Sequence, residues 1–195
     1  MSASCGCERG HLNPLDAVMA QLQSLAGTLA ARRPTVSVAL PEALNRVLAA
    51  PVYAGIQVPP ADNSAMDGYA VRAADTRGGA CLSVSQRIPA GCAPQALQPG
   101  TCARIFTGAE MPAGADAVIM QEDVQLDPDG RVRLPEADAG DNVRRAGQDI
   151  ACGARLFAAG RRLRGADLGL LASVGIDQVC VYAPLRIAVV STGDE

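Results

Sequence analysis

The stretch Pro59-Pro-Ala-Asp-Asn-Ser-Ala-Met-Asp-Gly-Tyr-Ala-Val71 places four hydrogen-bonding side chains, Asp62, Asn63, Ser64 and Asp67, within six residues. Pro59 and Pro60 fix φ and remove two backbone donors, so the chain arrives extended, and Gly68 permits a sharp exit after Asp67. A held loop follows from that pattern, not a solvated tether. Asx and Ser side chains commonly satisfy the backbone of their own turn, so each of the four has a structural reading beside a ligand-binding one.

C-terminal to this loop the chain reads as short strands separated by Gly and Pro, over 69–72, 81–87, 101–106, 117–124, 131–134 and 154–157. Asp127-Pro-Asp-Gly130 is a strong hairpin signal between two of them. Strands so closely spaced, with no long helix between them, predict an antiparallel, mainly β region over residues 52–140. On the N-terminal side, Asn13-Pro14 opens a helix whose Leu15, Val18, Leu22, Leu25 and Leu29 form one apolar stripe, closed by Arg32-Arg33 before Pro34. A strand over 35–40 and a short helix over 41–49 follow. Beyond the β region, 163–174 reads as a helix with Gly175 at its C′ position, then a strand over 178–182. Leu185-Arg-Ile-Ala-Val-Val190 has the near-continuous apolar character of a strand covered on both faces. It leads into Ser191-Thr-Gly-Asp-Glu195, a small-residue turn of the kind that feeds a helix N-terminus able to hold an anion.

Composition excludes several classes of function. With 195 residues, 49% of them hydrophobic and 19% charged, the chain can bury a real core, and with 3% aromatics and no Trp that core rests on Ala, Val, Leu and Ile. No stretch approaches the ~20 apolar residues that cross a bilayer, and the N-terminus lacks the basic-then-apolar pattern of a signal peptide. A cytoplasmic protein without membrane partners is expected. All 17 basic residues are Arg and the formal charge is −3, which gives no electrostatic footprint for nucleic acid. Locally, Arg reads phosphate through a planar fork, and Arg144-Arg145 is a candidate; Arg161-Arg162-Leu163-Arg164 reads as a solvated face. Seven scattered cysteines argue against a disulfide framework. Cys5, Cys7 and His11, the only His, offer three soft metal ligands, against the competing reading of a mobile terminus.

Further blocks carry polar chemistry. Arg104-Ile-Phe-Thr107-Gly-Ala-Glu-Met-Pro-Ala-Gly114 runs a strand into a Gly- and Pro-shaped loop, where Thr107 offers a hydroxyl and Gly108 lets a ligand approach the backbone. An ordinary strand-end turn is the alternative. Asn142-Val-Arg144-Arg145-Ala-Gly147-Gln-Asp149 sets arginines beside an aspartate, which suits a phosphate and a divalent cation. Asp67, Asp149 and Glu195 are hard oxygen ligands of the kind Mg²⁺ takes. With one His, at the terminus, no Ser-His-Asp or Cys-His arrangement can be built, so positioned phosphate and metal chemistry is favoured over covalent hydrolysis.

The loop at 59–71 resembles the signature loop of the molybdopterin molybdenumtransferases, the MoeA family that includes the E domain of gephyrin, through its string Asp62-Asn-Ser-Ala-Met-Asp-Gly-Tyr69. Thr107-Gly-Ala109 with Gly114-Ala-Asp-Ala-Val-Ile-Met-Gln-Glu122, the block at 142–149, and Ser191–Glu195 are similar to later family motifs in order and spacing. Gln148 stands where the family usually has a glutamate, while Asp149 is retained. The resemblance implies an α+β, mainly β fold, the family's N-terminal region of bifurcated and coiled β-sheets with an N-terminal helix, ending in the first strand of an α/β domain otherwise missing. It implies a flexible segment 1–11, an elongated linking domain from 12–51 and 141–184, a β-rich domain over 52–140, and the start of the truncated molybdopterin-binding domain at 185–195.

The implied function is molybdenum cofactor biosynthesis: molybdate is inserted into adenylated molybdopterin, delivered by a molybdopterin adenylyltransferase, with Mg²⁺ and release of AMP. Carried over by motif, Asp67, Asp149 and Glu195 are catalytic, Asp67 and Asp149 hold Mg²⁺, and Asn63, Ser64, Thr107, Gly108 and Arg144 bind substrate. Family members pair as homodimers whose site is shared between one subunit's β-rich domain and the other's α/β domain, so this chain alone is expected to be inactive. A non-catalytic dimerisation or scaffold module, and a metal- or redox-sensing domain using Cys5, Cys7 and His11, are the alternatives.

Overall fold

The computed structural model describes residues 14–189. Cys5, Cys7, His11 and the segment 191–195 with Glu195 lie outside the described residues. The elements run α1 (Leu15–Ala31), β1 (Thr35–Ala39), β2 (Val52–Tyr53), β3 (Asn63–Ser64), β4 (Gly68–Val71), β5 (Ala80–Ile88), β6 (Thr101–Ile105), β7 (Ala117–Met120), β8 (Gln125–Leu126), β9 (Val132–Leu134), β10 (Val143–Arg144), β11 (Arg155–Phe157), α2 (Gly165–Ser173) and β12 (Gln178–Tyr182). The fold is α+β and mainly β. No helix among the described residues is long and apolar enough to cross a membrane.

A six-stranded sheet, in the order β7-β4-β6-β5-β9-β8, occupies the middle of the chain. Alternation sorts its side chains to two faces. Tyr69, Val71, Cys102, Ala117, Ile119 and Val132 pack on one; Ala70, Ile88, Ala103, Ile105 and Val118 pack on the other. The expected antiparallel arrangement holds for most pairs, but β5 and β6 run parallel, from Ser83 opposite Thr101 to Ile88 opposite Ile105. The irregular stretch 89–100 between them supplies the roughly dozen residues that a parallel crossover needs.

The expected strand over 117–124 ends at Met120, because Gln121–Asp123 form a 3₁₀ turn. The hairpin at Asp127–Gly130 therefore joins β8 to β9, with Leu126 opposite Val132. Asp127 closes it: its Oδ1 accepts from the N–H groups of Arg131 at 2.7 Å and Asp129 at 3.1 Å.

A further core lies around α2, where Leu40, Ala43, Leu48, Phe157, Leu163, Leu171, Val179 and Val181 are buried together. Around it β1 pairs with β12 and β2 with β11. The helix expected over 41–49 is reduced to a 3₁₀ turn, Leu40–Ala43, since Asn45 takes φ 64° and leaves the helical region. α2 ends as expected: Gly175, at φ 77°, donates to Ala172 O at 3.0 Å and Ile176 donates to Leu171 O at 3.0 Å, a Schellman closure. α1 forms, but Leu15, Leu22, Leu25 and Leu29 of its stripe are each more than half exposed. The strand expected from Leu185 is not found: residues 185–189 have no paired neighbour among the described residues, and Val189 is 90% exposed. An apolar run is a strand only when another edge meets its backbone groups.

Candidate functional site

Asp67 stands at the turn into β4, and the following glycine fixes how close the sheet comes to it. Gly68 is buried and extended, with its neighbour so near that a Cβ would lie 2.0 Å from Ile119 O. The residue serves a close backbone approach rather than the sharp exit its sequence context suggests. Asp67 Oδ1 accepts two hydrogen bonds from one residue, the Thr107 N–H at 2.8 Å and the Thr107 hydroxyl at 2.7 Å. These bonds, the backbone one foremost, with the nearby charge of Arg104, hold the Asp67 carboxyl below its ordinary value of 3.8. The Asp67 carbonyl accepts from Gln121 N–H at 3.0 Å. Arg104 braces the same corner, donating to Gly68 O at 2.8 Å, to Ile105 O at 3.1 Å and to the Gln121 side chain.

Ser64 is 1% exposed and its hydroxyl is committed within the loop, donating to Met66 O and accepting from Met66 N–H. Its carbonyl holds the Gly108 N–H at 2.8 Å. Ser64 thereby holds the loop and the Gly108 backbone in position. Gly108 itself is exposed, at φ 80°, with open space where a Cβ would stand, so a ligand can reach its backbone face. Asn63 pairs with Arg144 across β3 and β10 and bridges to Glu110. Its Oδ1 is buried with no donor among the described residues, and Asn63 lines a cavity of about 370 Å³ together with Pro60, Ala61, Cys92, Gly108 and Glu110. An orphaned buried acceptor costs about 1–3 kcal/mol, which a ligand N–H or O–H offsets.

The block at 142–149 is stitched onto the signature loop. Gly147 N–H donates to Pro59 O and Asp149 N–H to Val58 O, both at 2.9 Å. Asp62 accepts from Ala146 N–H at 2.8 Å and pairs with Arg145 at 2.6 Å, and those two partners, the backbone one first, lower its pKa. Arg144 pairs with Asp149, each side chain nearly half exposed. Gln148 Oε1 accepts from Arg145 N–H at 3.0 Å, a local tie that needs no charge. Arg104 and Gln121 therefore join the site although sequence reasoning assigned them no role beyond membership of the blocks at 104–114 and 114–122, and Asp62, one of the loop's four polar side chains, joins through Arg145 and Ala146.

The structure brings Asp67 and Thr107 into direct contact, and Asn63 beside Arg144. Among the described residues no group of three His, Cys, Asp or Glu gathers as a metal cage. A single carboxylate still fits Mg²⁺, which keeps waters and bridges to substrate phosphates. Asp67 has that capacity, with Oδ2 accepting nothing from the described residues, whereas Asp149 is engaged by Arg144.

The family profile described as the MoeA N-terminal region (domain I and II) matches residues 13–175. A molybdopterin molybdenumtransferase from Haemophilus influenzae is 46% identical over 158 residues, covering 80% of this chain and 39% of that protein. One from Nostoc sp. is 40% identical over 178 residues, covering 88% and 41% respectively. The crystal structure of a molybdopterin biosynthesis MoeA protein from Pyrococcus horikoshii superimposes with a TM-score of 0.78 at 35% identity, over 88% of this chain and 44% of that one. The chain thus spans about two fifths of the length of the relatives it matches.

Proposed function

The chain belongs to the MoeA family through its N-terminal region, and on that footing we propose that it contributes one wall of a molybdopterin molybdenumtransferase site in molybdenum cofactor biosynthesis. The observation that carries this reading is the double hydrogen bond from Thr107 to Asp67 Oδ1, which leaves an ionised, oriented Oδ2 beside the open backbone of Gly108. A carboxylate so fixed suits a cation shared with phosphate oxygens, and an exposed glycine admits the phosphates themselves.

In this reading the substrate is adenylated molybdopterin, made by a molybdopterin adenylyltransferase; molybdate-dependent hydrolysis of its phosphoanhydride by water releases AMP and leaves molybdenum on the dithiolene. Asp67 Oδ2 would hold Mg²⁺, which neutralises phosphate charge when bound. Thr107 keeps the carboxylate aimed and charged. Ser64 holds Gly108 in place, Asn63 Oδ1 receives a donor from substrate, and Arg144 reaches phosphate from its pair with Asp149. Glu195 is proposed as a further carboxylate of the site on motif grounds. The separation of the core around α2 from the two that flank the six-stranded sheet supports a division into a β-rich domain over 52–140 and a linking domain from 12–51 and 141–184. The exposed stripe of α1 supports homodimerisation, and a cytoplasmic setting suits seven thiols without a disulfide framework.

Titrating adenylated molybdopterin with Mg²⁺ into the chain tests the reading. Saturable binding weakened by Asp67→Ala and by removal of Mg²⁺ is expected. Absence of binding overturns it.

A further inference from the structure

Arg87 lies outside every motif block, yet the parallel register sets it directly beside Arg104 on one face of the sheet. Like charges placed opposite on neighbouring strands repel. Among the described residues neither guanidinium takes part in an ion pair. Both are instead gathered on one ring: Arg87 Cζ lies 4.8 Å and Arg104 Cζ 4.5 Å from the centroid of Phe106. Arg104 spends its N–H groups on the neutral acceptors of Gly68, Ile105 and Gln121. Arg87 is exposed and donates to none of the described residues, so its planar fork of five N–H groups is unoccupied while the ring fixes its plane.

Position gives this pair a use. Phe106 immediately precedes Thr107, whose N–H and hydroxyl hold Asp67. The corner therefore carries the Asp67 carboxylate on Thr107 and, on the ring of the preceding residue, two guanidinium groups. A metal–phosphate complex needs both, a carboxylate for the metal and guanidinium donors for the remaining phosphate oxygens.

We propose that Arg87, held against Phe106 beside Arg104, is a substrate-binding residue that takes a phosphate oxygen of the phosphoanhydride. The anion site follows from two guanidinium groups that share one ring with no ion pair among the described residues; its assignment to a phosphoanhydride rests on the function proposed above.

Inorganic pyrophosphate, titrated calorimetrically into the 195-residue chain with and without Mg²⁺, tests the site. Saturable binding is expected, weakened about tenfold or more in Arg87→Gln, partly retained in Arg87→Lys, and unchanged in Arg155→Gln on β11. No binding by the native chain, or equal affinity in Arg87→Gln, overturns the site. Amide spectra distinguish a lost contact from a lost fold; if Arg87→Gln does not fold, Arg87→Lys decides, and native affinity in it counts against fork-specific binding. Displacement of pyrophosphate by adenylated molybdopterin supports the substrate assignment. Arg87-dependent pyrophosphate binding without displacement keeps the anion site and overturns that assignment. Adenylated molybdopterin binding equally to the native chain and Arg87→Gln overturns the role of Arg87 and leaves the proposed function standing.

Discussion

Thr107 donates twice to the same oxygen of Asp67, from its backbone at 2.8 Å and from its hydroxyl at 2.7 Å. Both bonds favour the charged carboxylate, so the folded pKa lies below 3.8. A depressed carboxylate pKa stabilises the fold above its unfolded value, and that contribution disappears as pH falls through the folded value. In a ¹³C NMR titration the Asp67 carboxyl should therefore show a midpoint below 3.8, moving upward in Thr107→Val as the hydroxyl bond is lost. A native midpoint at 3.8 or above would contradict the tie.

Gly68→Ala should be severely destabilising, because its Cβ would meet Ile119 O at 2.0 Å and neither strand can yield without breaking the sheet. A loss of about 3 kcal/mol or more in urea unfolding is expected. Gly169→Ala on α2 faces open space and should instead gain about 0.5–1 kcal/mol. Similar outcomes for the two substitutions would refute the close approach.

The cysteines should separate by reactivity. Cys102 is fully buried and its thiol is pushed up to about 11 by burial, whereas Cys92 and Cys152 are exposed. Thiolate is the reacting form, so iodoacetamide near neutral pH should label Cys92 and Cys152 first and leave Cys102 intact in the folded protein. Peptide mass spectrometry resolves the order, and early labelling of Cys102 would count against the packing.

The sheet with its two packed faces and the separate core around α2 imply two local stabilities. Leu171→Ala opens a cavity in the core around α2 and should cost about 2–5 kcal/mol there. Hydrogen exchange should accelerate in α2 and β12 while β4 and β6 keep their protection; Val132→Ala should do the reverse. Uniform acceleration in either variant would argue for one cooperative unit.

Local patterns carried well into the structure where one face or one turn decided the outcome. Gly and Pro punctuation located β4, β5 and β6, and the glycine at 175 marked the end of α2 because its positive φ is a local requirement. Periodicity reports which face a side chain takes, not which strand lies beside it, so the parallel β5–β6 pairing was illegible. So was the placement of Arg87 next to Arg104 that depends on it. The site shows the same division. Thr107 and Asp67 were legible as site residues, but their contact spans forty positions. Ser64 was legible as a polar residue of the loop, but the tie of its hydroxyl to Met66 was not. The partner of Asp62, Arg145, lies in another block altogether.

The pairing of Thr35 with Tyr182 has a consequence for how the protein is made. During synthesis β1 leaves the ribosome long before β12 exists, and a strand cannot bond to a segment not yet translated. Every member of the six-stranded sheet lies between Gly68 and Leu134, so that sheet can close while Leu40 and Leu48 still wait uncovered. Nascent chains stalled before Gln178 should show protected amides in β4 and β6 and none in β1, the earliest strand made being among the last to find its place.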